Sequence, residues 1–127
     1  MISLYQRKQR PSPLFERRIL IMLSSLDTLT VQRLKKELLR ITPLVRVLAY
    51  GSRARGDATS ESDLDVFIEV PSLSPELRRK ISEVAWEISL ENEVVISTFV
   101  ASTDVVKDGP LSADPILRAI EHEGIAV

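Results

Sequence analysis

Residues 45–70 read Val-Arg-Val-Leu-Ala-Tyr-Gly-Ser-Arg-Ala-Arg-Gly-Asp-Ala-Thr-Ser-Glu-Ser-Asp-Leu-Asp-Val-Phe-Ile-Glu-Val. Two strand-like runs, Val45 to Tyr50 and Asp63 to Val70, flank a polar loop that opens with Gly51-Ser52. The second run alternates, with Leu64, Val66, Ile68 and Val70 in one set and Asp63, Asp65, Phe67 and Glu69 in the other. Side chains alternate across a strand, so the first set predicts a face packed on helices and the second a face open to solvent or ligand. Asp63 and Asp65 then project from one face, roughly 7 Å apart. Two carboxylates so placed at the mouth of a Gly-Ser turn suit a divalent cation and a phosphate.

Outward from this unit the periodicity turns helical. Leu14 to Leu26, entered through Ser12-Pro13, is apolar around most of its circumference, so it is buried or meets a partner chain, and an oligomer is compatible with it. A second helix follows Asp27-Thr28, with Val31, Leu34, Leu38 and Ile41 as its stripe and Pro43 as its stop. Ser74-Pro75 opens another, to about Glu91, with Leu77, Ile81, Val84 and Ile88 inward. Trp86 and Leu90 lie on its other side, where the Trp either anchors a protein interface or is covered by the N-terminal arm or first helix. A strand from about Glu93 to Ser102 follows, and Asp114 caps a last helix that Gly124 closes. The layout is α/β: a flexible arm over residues 1–13, then a single domain over 14–127 with its core motif in 45–102. A mixed β-sheet carries helices packed on one face.

Composition narrows the function. Seventeen Lys and Arg against 18 Asp and Glu leave a net charge of −1, so no global basic field favours nucleic acid. With no cysteine and one histidine, any metal is held by oxygen, which favours magnesium or manganese. The run Ile19 to Leu23 is too short to span a bilayer. Pro11 and Pro13 after the basic Arg7, Lys8 and Arg10 do not make a signal peptide, so the cytoplasm is the expected compartment.

Gly51-Ser52, ten intervening residues, then Asp63-Leu64-Asp65 resembles the signature of the minimal nucleotidyltransferases, which share the DNA polymerase β-like nucleotidyltransferase fold. Arg-x-Arg-Gly in the loop adds to the likeness, with Gly56 where the family commonly has glycine. The resemblance implies a role for each residue. Gly51 lets the backbone turn close to a phosphate. Ser52 holds the terminal phosphates of a nucleoside triphosphate, and Arg53 or Arg55 neutralises them. Asp63 and Asp65 bind one or two Mg²⁺ ions that bridge the triphosphate. It implies transfer of a nucleoside monophosphate, AMP from ATP, to a hydroxyl acceptor. Stand-alone members resemble the antitoxin of two-gene pairs whose partner is a HEPN-domain ribonuclease, on which a tyrosine is adenylylated.

Catalytically complete members carry a third carboxylate on the following strand, at the same sheet face. Alternation offers Glu93, Val95 and Ser97 for that place. Alignment of the apolar positions puts it near Val95, with Glu93 one pleat earlier as the acidic candidate. A second reading follows from this departure: a degenerate transferase-like module that regulates a partner by complex formation.

Overall fold

The computed structural model describes residues 23–127. The arm over 1–13 and most of the helix expected over 14–26 lie outside these residues, as does the cover expected for Trp86, which is exposed along with Leu90. Helix α1 (Ser25–Leu38) begins where the Ser24 hydroxyl accepts from the Asp27 backbone N–H, at 3.0 Å. This N-cap places the helix start ahead of the Asp27-Thr28 boundary suggested by the sequence. Val31, Leu34 and Leu38 are buried as expected, but Ile41 falls past the helix end and is exposed.

Strand β1 (Arg46–Tyr50) leads directly into the short helix α2 (Gly51–Arg55), where the sequence suggested only loop. Strand β2 (Leu64–Val70) returns antiparallel to β1, with Arg46 opposite Glu69 and Tyr50 opposite Asp65. Helix α3 (Pro75–Asn92), N-capped by Ser74, is the crossover that a parallel neighbour requires. Strand β3 (Ile96–Ser102) lies parallel to β2, Leu64 beside Ile96 and Asp65 beside Ser97. After α4 (Thr103–Lys107), helix α5 (Pro115–Glu123) is capped by Asp114 and Gly124, and the two-residue β4 (Ile125–Ala126) joins β1. The sheet is mixed, in the order β3-β2-β1-β4.

Leu64, Val66, Ile68 and Val70 pack on α1 and α3 through Val31, Leu34, Leu38, Ile81, Ala85 and Ile88, forming the main core. Each such side chain, fully buried, contributes about 1.5–3 kcal/mol. The opposite face is open only in part. Phe67 is buried in a second cluster with Val106, Leu117 and Ile120, so α5 roofs the far half of the strand. Glu69, expected on the face open to solvent or ligand, is buried instead at 3% exposure. Its carboxylate accepts from Arg46 Nε at 2.8 Å and from the Thr103 hydroxyl at 2.8 Å, and the Arg46 guanidinium also stands 5.4 Å from the Phe67 ring centroid. The cross-strand cation compensates a burial that a lone carboxylate would not tolerate.

No helix among the described residues is long and apolar enough to cross a membrane.

Arg46→Ala leaves the buried Glu69 carboxylate without its cation and should cost about 3 kcal/mol, as broken buried pairs do. Glu121→Ala removes only the looser 3.4 Å contact to the same guanidinium and should stay within about 0.5 kcal/mol. Urea denaturation of both variants measures the difference.

Candidate functional site

The site forms where β1 ends beside the start of β2. The chain leaves Tyr50, turns at Gly51 with φ +76°, and enters α2, which ends in Gly56 at φ 83°. A β-carbon at Gly51 would overlap Asp65 Oδ2, so only glycine satisfies both the left-handed backbone and the carboxylate lying over it. Asp65 is half-buried and Asp63, the last loop residue before β2, is exposed. Burial pushes the Asp65 carboxyl above its ordinary range, the Asp63 charge pushes it further, and Arg55 opposes both. The two carboxylates therefore sit within electrostatic reach of each other and of one guanidinium.

Sheet register arranges their neighbours. Tyr50, Asp65 and Ser97 form one row across β1, β2 and β3 on this face. Burial raises the Tyr50 phenol first and the Asp65 charge adds to it, keeping the hydroxyl protonated. One position earlier the Leu64 N–H donates to the Val95 carbonyl at 2.8 Å, which puts Val95 alongside Asp63. Val95 is 61% exposed, an apolar side chain where the family's third carboxylate is expected. Among the described residues no His, Cys, Asp or Glu joins these two to make a metal-ligating group of three.

Glu93 is not on the strand. It is the C-cap of α3, at φ 54° in the left-handed region, with its N–H bonded to the Ser89 carbonyl. The Ile96 N–H then bonds the buried Ser89 hydroxyl at 3.0 Å, so β3 begins three residues later than the sequence suggested. Ser52 is half-buried in the first turn of α2.

The two loop arginines have opposite fates. Arg55 is on the outer side, its guanidinium held charged by its hydrogen bond and proximity to Asp57, with Glu123 at 3.2 Å. Arg53, expected on the phosphates, is turned inward. Its Nη1 donates to both oxygens of Asp27, at 3.0 and 3.2 Å, its Nε to the Ser62 carbonyl at 2.8 Å, and its Nη2 to the Ser60 carbonyl at 3.3 Å. Sequence reasoning missed Asp27, because nothing local marks a partner 26 residues away. It also missed Tyr50, which counting back from Asp65 through the hairpin register would have found.

Residues 31–125 match the family model described as a nucleotidyltransferase domain. The chain is also 37% identical over 75 residues to a Methanocaldococcus jannaschii protein named "Putative protein adenylyltransferase". That overlap covers 55% of this chain and 74% of the relative.

Gly51→Ala should destabilise the protein by about 2 kcal/mol, combining left-handed strain with displacement of Asp65. In an Asp65→Gly background the same change should cost only the backbone part, about 1 kcal/mol. A double-mutant cycle from urea midpoints tests this coupling. Glu93→Gly, which relieves a left-handed non-glycine cap, should stabilise by about 0.5–1 kcal/mol in the same assay.

Proposed function

Because the chain belongs to the nucleotidyltransferase domain family, we propose that it transfers AMP from ATP to a hydroxyl group of a partner protein. In this reading the P–O bond between the α-phosphorus and the β-phosphate bridge breaks, a bond to the acceptor oxygen forms, the acceptor loses its proton, and pyrophosphate leaves. The observation that carries it is Asp65 lying over Gly51 with Asp63, the residue before β2, close enough to act on its carboxyl. Burial first, and the neighbouring Asp63 charge second, raise the Asp65 carboxyl, and a bound cation would relieve both. Magnesium fits this donor set, since it commonly takes one or two carboxylates and fills its other positions with water and substrate phosphates. When bound, the ion neutralises charge on the transferring phosphoryl group.

The chain's own residues supply the rest. Gly51 and Ser52 receive the terminal phosphates at the turn, and Arg55 lends them positive charge. Glu93 is the acidic residue nearest the third position along the chain, although its place at the helix cap sets it off the strand. The partner proposed is a HEPN-domain ribonuclease and the role that of its antitoxin. The resemblance of the Gly-Ser and Asp-x-Asp motif to stand-alone family members supports this, and the adenylyltransferase name of the relative supports transfer of AMP to a protein. The proposed compartment is the cytoplasm.

One observation favours a second reading. The exposed Val95 beside Asp63 leaves the site a carboxylate short, which suits a binding module that regulates its partner without transfer.

Labelled ATP, Mg²⁺ and the purified partner separate the two. The transferase reading expects label on the partner, reduced by about 10³-fold or more in Asp63→Ala plus Asp65→Ala. Val95→Asp should then raise the rate about 10²-fold or more, within the 10²–10⁴ that a positioned base contributes. A wild-type chain that transfers no label, yet binds its partner as tightly with both aspartates removed, establishes the module instead.

A further inference from the structure

We propose that Arg53 and Asp27 form a positioning clamp that fixes Asp63, so that the first turn of α1 acts on the site without touching it. This rests on the reading of Asp63 as a site carboxylate. The clamp itself rests on geometry. Asp63 lies between two pinned points, the Ser62 carbonyl held by Arg53 Nε and the Leu64 N–H held by the Val95 carbonyl. The second pin belongs to the sheet. The first comes from the guanidinium, backed by a local turn in which the Thr59 N–H donates to the Ser62 hydroxyl and the Ser62 N–H to the Thr59 carbonyl.

Arg53 suits this task because its three nitrogens meet three different acceptors in one rigid plane. Lysine, a point charge on a flexible stem, cannot hold Asp27, Ser60 and Ser62 together. The pair is well shielded, with side chains 14% and 9% exposed, so the guanidinium is not presented to solvent as a phosphate contact would be. Asp27 in turn sits in the first turn of a helix, where a carboxylate is favoured. Its route to Asp63 runs through Arg53, and removing it leaves a shielded cation without its anchor.

The test uses the full chain and two conservative variants, Arg53→Lys and Asp27→Asn. Three quantities are read: amide hydrogen exchange, Mg²⁺ affinity by calorimetry in the presence of a non-hydrolysable ATP analogue, and kcat against KM for ATP. The clamp expects exchange at residues 62–64 to accelerate about tenfold or more in both variants while residues 66–68 keep their protection. It expects Mg²⁺ to bind about 10–100-fold more weakly, as when supporting partners of metal ligands are lost. It also expects kcat to fall with KM for ATP nearly constant. Two results overturn it: wild-type exchange at 62–64 in both variants, or an Arg53→Lys chain that restores wild-type kcat and Mg²⁺ affinity, since charge alone would then suffice. If the wild-type chain neither binds Mg²⁺ nor transfers, the site reading fails, and the exchange data alone then uphold or overturn the clamp.

Discussion

The carboxylate of Asp65 lies so close over residue 51 that a β-carbon there would displace it, and the arrangement of the site follows from that approach. It originates in register. Tyr50 is opposite Asp65, so the next residue of β1 must pass under the acid as the chain turns away from the sheet. Glycine meets both demands at once, space and a positive φ. The turn then opens a helix of a single turn and a half, on which residues two apart lie on nearly opposite sides. That geometry explains why Arg53 is driven inward to Asp27 while Arg55 remains at the surface, within the field of Asp65.

β2 serves two ends of the molecule through one alternation. One face is core along its whole length. The other grades from fully buried Phe67 and Glu69, under the cover of α5, through half-buried Asp65 to exposed Asp63. The gradient gives the two aspartates different environments although they are only two residues apart. Asp65 sits at the margin of a low-dielectric region that resists its charge, whereas Asp63 stands in water. Glu69 shows what burying a carboxylate on this face requires: a cross-strand arginine and a threonine hydroxyl, both at 2.8 Å. Among the described residues Asp65 has no comparable pair of donors, and burial keeps its carboxyl above the ordinary range.

Features set by local periodicity were legible in the sequence. The alternating run from Leu64 to Val70 identified the core face residue by residue, and Ser74-Pro75 located the start of α3. The Gly-Ser turn and the two aspartates were legible because their spacing needs only one hairpin. What could not be read depended on distant partners. Glu69 looks like an exposed strand residue until Arg46 arrives opposite it and Thr103 at the start of α4 bonds it, and Arg53 looks like a loop cation until α1 supplies Asp27. The boundary at Glu93 was obscured for another reason. A glutamate in the left-handed region carries no glycine-like signal, so the strand seemed to begin where the helix was still being capped. β4, with two residues, is too short to show a period at all.

The number of carboxylates at the site is also a consequence of register. Moving Glu93 beside Asp63 would require β3 to slide by two residues. That slide would break the Glu93 and Ile96 hydrogen bonds to Ser89 and shift Ile96 and Val100 out of their places against α3. A slide by one would be worse, since it would carry every apolar side chain of the strand to the wrong face. Either displacement removes buried apolar contacts worth several kcal/mol for the gain of one surface charge. The strand therefore stays where the core puts it, Val95 keeps its place beside Asp63, and Glu93 stays at the helix end. Among the described residues, Asp65 beside Gly51 and the nearby Asp63 stay a pair, and no third His, Cys, Asp or Glu joins them.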